Sequence, residues 1–132
     1  MIAIDTNVLV RFLTRDDPPQ FQRALDLFSA ERIFLPETVL LETEWVLRYA
    51  YGFSAAQVNA ALRKLLGLPN VAVGDEMAVA LAMDWHAGGL DFADAFHLSQ
   101  AVHCREMVTF DRQFARDARQ VTSPPVRLLE AQ

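Results

Sequence analysis

The chain has few of the residues that mark secreted or metal-stapled proteins. Its 132 residues include only one cysteine, Cys104, so no disulfide and no cysteine-rich zinc site can form within it. The chain also has only one lysine, Lys64. No apolar run approaches the roughly 18 residues that a membrane-spanning helix needs, and no basic-then-apolar leader opens the chain. We therefore expect a cytoplasmic protein with no membrane segment, folded as a single domain over residues 1–132.

Positive charge is also scarce. Twelve Lys and Arg residues stand against seventeen Asp and Glu residues, which gives a formal net charge of -5 at pH 7. The field of the whole protein therefore does not attract nucleic acid. A polyanion would have to be held locally, either by divalent cations in an acidic cleft or by arginines clustered on one face.

Short apolar runs alternate with amphipathic helical patterns, and this alternation predicts an α/β fold with a parallel sheet. We expect strands at 1–4, 33–35, 71–73, 107–110 and 126–129. We expect helices at 8–13, 18–30, 37–51, 54–67, 75–86, 91–103 and 111–119. The predicted buried face of the sixth helix consists of Phe92, Ala95, Phe96, Ser99 and Val102.

Two aspartates directly follow predicted strands, at the sheet edge where open parallel α/β proteins bind ligands. Asp5 follows the strand at 1–4, and Asp111 ends the strand at 107–110. Each also precedes a predicted helix, and aspartate is a favoured N-cap. A purely structural role therefore stays open for each of them.

Glu42 lies in the middle of a predicted helix. Its neighbours at helical spacing are Val39, Trp45, Val46 and Tyr49. We therefore expect its carboxylate on the apolar face, where it needs a cation or hydrogen bonds, and we expect Glu44 to project into solvent. Alternatively, Glu42 lies at the edge of that face and its head reaches water.

The aromatic residues Trp45, Tyr49, Tyr51 and Phe53 are expected to divide between core and interface.

Asp91 and Asp94 lie one turn apart at the start of a predicted helix, where the helix dipole favours negative charge. A capping box explains them as well as a ligand pair does. The two like charges also repel each other, and a bound metal ion would relieve that repulsion.

These acids, without cysteine or histidine ligands, suit Mg²⁺ or Mn²⁺. Such an ion activates water for attack on a phosphodiester, so metal-dependent phosphodiester hydrolysis is the leading interpretation. A phosphatase of the haloacid-dehalogenase type would need a second aspartate where Asn7 stands and a late lysine, whereas Lys64 lies within a helix. A P-loop enzyme is excluded because no glycine-rich loop with lysine is present.

Four segments resemble the motifs of PIN-domain ribonucleases. They are IDTNVL at 4–9, LETEWVLRYAYG at 41–52, DFADA at 91–95 and VTFD at 108–111. The resemblance spans the chain in order and is strongest to VapC-type toxins of bacterial toxin–antitoxin modules. It implies a twisted parallel β-sheet flanked by α-helices on both faces.

The resemblance also implies roles for particular residues. The metal-binding catalytic acids would be Asp5, Glu42, Asp94 and Asp111. The supporting residues would be Thr6, Asn7, Thr109 and Asp91, the last as an auxiliary ligand or a helix cap. The implied activity is an Mg²⁺- or Mn²⁺-dependent endoribonuclease that cuts tRNA or other structured RNA. The implied partners are a VapB-type antitoxin and a second copy of the chain in a homodimer.

Arginines near two of the acids are candidate contacts to RNA or to an antitoxin. They are Arg11 and Arg15 after Asp5, and Arg112, Arg116 and Arg119 after Asp111. A solvated helix face explains both groups equally well. The competing function is a catalytically silent PIN-like module that binds RNA or protein.

Overall fold

The computed structural model describes residues 1–130, and these form five short strands and seven helices. The strands are β1 (Ile2–Ala3), β2 (Ile33–Phe34), β3 (Val71–Ala72), β4 (Met107–Thr109) and β5 (Val126–Leu128). The helices are α1 (Thr6–Thr14), α2 (Pro18–Ala30), α3 (Glu37–Tyr49), α4 (Ala55–Leu66), α5 (Glu76–Ala87), α6 (Phe92–Ser99) and α7 (Arg112–Asp117). Every strand pair is parallel, which confirms the predicted α/β class.

The contacts divide the chain into two compact units, Met1–Glu76 and a second that begins at Met77. The prediction of a single domain over 1–132 stays a prediction, and its last two residues lie outside the described ones. Within residues 1–130, no helix is long and apolar enough to cross a membrane.

The first unit is built on a three-stranded sheet in the order β1-β2-β3. Ile33 of β2 pairs with Ile2 on one side and Val71 on the other. Helix α1 packs against α2 and α3, and α3 packs against α4. Leucines from four different segments are completely buried in this core: Leu9, Leu35, Leu40 and Leu62. The start of α1 is thereby held close to α3.

Local sequence signals set the helix ends of the first unit. Ser54 and Gln57 form the predicted capping box at the start of α4, with each side chain bonded to the other's backbone N–H. Gly52, in the turn between α3 and α4, has a φ of 76°, a conformation that glycine adopts without a side-chain clash. Helix α3 ends at Tyr49, two residues before the predicted end.

The second unit contains the strand pair β4 and β5, in which Met107 pairs with Val126. Helix α7 packs on both strands. An ion pair of 2.8 Å between Arg127 Nη2 and Glu106 Oε1 links the two strands at their exposed face.

Helix α6 buries the face that its sequence predicts. Phe92, Ala95, Phe96 and Ser99 are all buried, whereas Val102 lies beyond the helix and is only half-buried. The helix ends at Ser99 rather than near residue 103. Three-residue turn bonds, from Ala101 N to Leu98 O and from Cys104 N to Ala101 O, replace the helical ladder there.

Candidate active site

Asp5 stands between β1 and α1 and is exposed. Its Oδ1 accepts a hydrogen bond of 3.2 Å from Val8 N, so the N-cap role is confirmed. A carboxylate has two oxygens, and this cap occupies one of them. The Oδ2 atom is therefore compatible with a second role as a ligand.

Thr6 connects the first candidate acid to the second. Its side chain is buried, and its hydroxyl donates a short hydrogen bond to Oε1 of Glu42 on α3. Because Thr6 directly follows Asp5, this bond fixes the Glu42 carboxylate beside the start of α1. Two segments 36 residues apart in the sequence thus meet at one place in the first unit.

The predicted orientation of α3 is wrong. Glu42 is exposed, together with Trp45 (58%) and Tyr49 (65%), whereas Glu44 is only 5% exposed and forms an ion pair with Arg48. The buried face of α3 consists of Leu40, Thr43, Glu44 and Leu47. The sequence placed Trp45 and Tyr49 together with Glu42 on the apolar face that packs, and the other face of α3 in solvent. Leu40 and Leu47 instead determine which face packs, and they carry Thr43 and Glu44 inward.

The four aromatic residues expected to divide between core and interface do not form a core. Tyr51 is half-buried and stacks on Phe53, which is itself 41% exposed, and Trp45 contacts Tyr49 in a tilted arrangement. Their role at an interface stays a prediction.

Asp91 and Asp94 belong to the first turn of α6. Asp91 Oδ2 accepts a hydrogen bond of 3.1 Å from Asp94 N, so Asp91 caps this helix. Asp94 is half-buried, and burial raises the pKa of its carboxyl above the ordinary value. The neighbouring charges of Asp91 and Asp111 raise that pKa further, while His97 opposes them. The positive charge near the ionised Asp94 therefore does not offset its burial and its acidic neighbours.

Asp111 lies two residues after the end of β4 and caps α7. Its Oδ1 accepts hydrogen bonds from Gln113 N at 2.9 Å and Phe114 N at 3.2 Å. The hydroxyl of Thr109 accepts a 3.0 Å bond from Asp111 N, so Thr109 fixes the backbone that carries the acid. The supporting role of Thr109 in a metal site stays a prediction.

The chemistry of these donors fits a hard divalent cation. All the candidate ligands supply carboxylate oxygens, and the raised pKa of Asp94 marks a place where a cation would lower the cost of ionisation. Among residues 1–130, His, Cys, Asp and Glu side chains form no group of three or more that could hold a metal ion as they stand.

Arg11 is engaged by the protein itself. Its Nη1 lies 3.0 Å from both carboxylate oxygens of Asp16 and 3.0 Å from the Tyr51 hydroxyl, and its Nε donates to Gln20 at 2.7 Å. This network ties the end of α1 to the start of α2 and to the turn after α3. The hydrogen bonds of Arg11 therefore serve the structure of the first unit.

The other candidate arginines differ in their surroundings. Arg15 adopts a left-handed conformation at the end of α1, and its guanidinium lies 4.8 Å from the centre of the Phe21 ring. Arg112 is exposed, Arg116 donates to Gln113 at 3.2 Å, and Arg119 donates to the Arg116 carbonyl at 3.1 Å. The solvated-face interpretation of α7 agrees with these contacts.

A groove of about 570 Å³ lies between α1 and α2. Its polar lining includes Asp5, Asn7, Arg11 and Arg23, and its apolar lining includes Val8 and Leu27. Arg23 was not among the candidate contacts derived from the sequence. Its spacing from Gln20 and Leu27, three residues before and four after, would have placed it on the face that lines this groove.

In a comparison with protein families, a family model described as PIN domain matches residues 2–120. Searches among curated proteins and among solved structures give no match to the chain. The family match covers most of the chain and contains every candidate acid. The chain therefore belongs to the PIN domain family.

Proposed function

We propose that this chain is an Mg²⁺- or Mn²⁺-dependent endoribonuclease that acts in the cytoplasm as the toxin of a toxin–antitoxin pair. PIN domains are generally nucleases, so family membership supports hydrolysis of a phosphodiester bond. One observation carries the proposal: Asp94 is half-buried, and it is crowded by the charges of Asp91 and Asp111 in a way that a divalent cation would compensate. The resemblance to VapC-type toxins favours tRNA or another structured RNA as the substrate.

The residues that would hold the cation are Asp5, Glu42, Asp94 and Asp111. When bound, the cation would activate water and neutralise negative charge that develops on the phosphate oxygens. Thr6 orients Glu42 by donating to its Oε1, and Thr109 orients Asp111 through the backbone N–H of that residue. Asp5 and Asp111 each use one carboxylate oxygen as a helix cap, which fixes the direction of the other.

Cleavage of total bacterial RNA by the purified protein tests the activity. We expect discrete cuts with Mg²⁺ or Mn²⁺, none with EDTA, and none from the Asp94→Asn variant; sequencing of the new 5′ ends would identify the target. Asp26→Asn is the matched control, because Asp26 is exposed on α2 and bonds only Gln22 among residues 1–130. Intact RNA from a folded protein would contradict the proposal and favour the silent binding module.

The toxin role has its own test. Expression without a partner is expected to arrest bacterial growth, and Asp94→Asn is expected to relieve the arrest at an equal level of folded protein. Co-expression of a small open reading frame beside the gene, as the source of a VapB-type antitoxin, should also restore growth. Sedimentation of the purified protein tests the proposed homodimer.

A further inference from the structure

The groove between α1 and α2, here called the α1–α2 groove, is lined by charged and by apolar residues. Asp5 and Asn7 line it near the start of α1, and Arg11 and Arg23 line it further along. Val8, Ala24 and Leu27 supply apolar surface between them. A proposed metal ligand and two arginines thus line one concave surface within the first unit.

The two arginines of this groove are not equivalent. Arg11 already donates to Asp16, Gln20 and the Tyr51 hydroxyl. Arg23 is exposed, and within residues 1–130 no hydrogen bond or ion pair engages its guanidinium. A guanidinium presents five N–H donors in a planar fork that matches an anionic phosphate. Arg23 is therefore the group in the α1–α2 groove that is available to an external anion.

We propose that Arg23 binds a backbone phosphate of the RNA strand, next to the scissile one, in the α1–α2 groove. The identity of the strand rests on the proposed function. If Asp5 helps to hold the cation that acts on the scissile phosphate, the neighbouring nucleotides of the strand must lie on the protein surface next to Asp5. Each of these nucleotides carries a phosphate. The apolar side chains Val8, Ala24 and Leu27 would then contact a sugar or base.

A contact between Arg23 and a phosphate would also help a negatively charged protein to hold RNA. With a net charge of -5, general electrostatic attraction cannot retain RNA, so single well-placed cations matter more. Arg23 is a positioning residue in this scheme, because it touches the strand away from the reacting atoms. Its loss should weaken binding more than it slows the chemical step.

Nuclear magnetic resonance of the full chain in EDTA tests the contact without any reaction. The probe is a single-stranded uridine tetranucleotide titrated to millimolar concentration, and the readout is the Nε–Hε signal of Arg23, assigned by its loss in Arg23→Lys. We expect this signal to shift saturably, while the signal of Arg32, an exposed arginine outside the groove, does not. An unmoved Arg23 signal would overturn the proposal.

Steady-state cleavage provides the second readout. At low salt, Arg23→Ala should raise KM about fivefold to tenfold with little change in kcat, and Arg23→Lys should restore part of the loss. The slope of log affinity against log salt should fall by about 0.7, as for one phosphate contact on a single strand. Arg32→Ala removes the same charge and should leave both parameters unchanged; equal effects of the two variants would contradict a specific contact.

Different results would contradict the nuclease assignment and the phosphate contact of Arg23. If RNA stays intact with Mg²⁺ and Mn²⁺ while the Arg23 signal still shifts saturably, the nuclease assignment fails and the phosphate contact stands. If RNA is cut but Arg23→Ala behaves like Arg32→Ala, the nuclease assignment stands and the phosphate contact fails.

Discussion

At the residue scale, the hydrogen bond from Thr6 to Glu42 is the contact that most directly shapes the candidate site. Glu42 is exposed on a helix, and a long exposed side chain is free to take many rotamers. The buried Thr6 hydroxyl selects the rotamers that keep Oε1 beside the start of α1. In the proposed metal site, Thr6 would thus orient Glu42 without being a ligand itself.

Replacement of Thr6 tests this role. Thr6→Val keeps the shape but removes the donor, so we expect Mn²⁺ affinity to fall about tenfold, as for other contacts that orient a ligand. Calorimetric titration with Mn²⁺ measures the loss. Thr6→Ser retains the hydroxyl and should bind Mn²⁺ nearly as well as the original protein. Unchanged affinity in Thr6→Val, with the protein folded, would show that Glu42 needs no such orientation.

Asp16 supports a second prediction at this scale. Hydrogen bonds from Tyr51 and Thr14, followed by the interactions with Arg11, hold the pKa of Asp16 below its ordinary value. An acid with a lowered folded pKa contributes stability above its unfolded pKa of about 3.9, and that contribution is lost as the pH falls through the folded pKa. Tyr51→Phe removes the largest cause, so the pKa of Asp16 should rise toward its unfolded value, and the part of the stability that Asp16 contributes at neutral pH and loses in acid should become smaller.

Carboxyl carbon titration by nuclear magnetic resonance gives the Asp16 pKa, and thermal unfolding between about pH 2 and pH 7 gives the stability. Tyr49→Phe is the matched control, because Tyr49 is exposed and is not a cause of the Asp16 shift. An unmoved Asp16 titration in Tyr51→Phe would mean that the Arg11 charge and Thr14 suffice.

At the element scale, the sequence predicted helices with clear local signals and failed where packing decided the outcome. The capping box of α4 and four of the five predicted buried residues of α6 follow from the spacing of apolar and polar residues and are confirmed, whereas Val102 lies beyond the end of α6. In α3, Trp45 and Tyr49 compete with Leu40 and Leu47 for the core, and periodicity alone cannot rank two apolar stripes of one helix. Contacts with α1 and α4 settle the choice, and these depend on the rest of the unit.

The candidate site shows the same division. The positions of Asp5 and Asp111 after strands follow from the sequence pattern, and so do their caps. The bond between Thr6 and Glu42 does not, because it joins residues 36 apart and depends on how α1 packs on α3. Arg23 was missed for a related reason: a groove requires two helices, and the pattern of α2 alone shows only one wall.

Two alanine substitutions in α3 test its corrected orientation. Leu47→Ala should lower the free energy of unfolding by about 2–5 kcal/mol, since Leu47 is only 3% exposed. Trp45→Ala should change it by less than about 0.5 kcal/mol, despite the larger side chain, because 58% of Trp45 is exposed. Urea unfolding at low protein concentration compares the two. A large loss in Trp45→Ala that grows with protein concentration would assign Trp45 to an interface between copies.

At the scale of the whole molecule, a negatively charged chain is proposed to act on a polyanion. The acids of the second unit give an example, because burial and repulsion from Asp91 and Asp111 destabilise the ionised carboxylate of Asp94. The metal-free protein therefore carries a destabilising charge that a divalent cation would turn into a favourable interaction. If Asp94 holds a cation as proposed, stability and metal binding are linked through this residue.

Asp94→Asn should accordingly stabilise the metal-free protein and abolish its response to metal. The raised pKa of Asp94 means that its charge costs stability at neutral pH, and that the cost fades as the pH falls through the folded pKa. In EDTA the variant should therefore melt at a higher temperature at pH 7 and at a similar temperature in acid.

Mn²⁺ at about 100 times its Kd should stabilise the original protein by about 2.7 kcal/mol and Asp94→Asn by much less. Calorimetric melting measures both effects, with Asp26→Asn as the charge-matched control; an equal response to Mn²⁺ in all three proteins would remove Asp94 from the metal site.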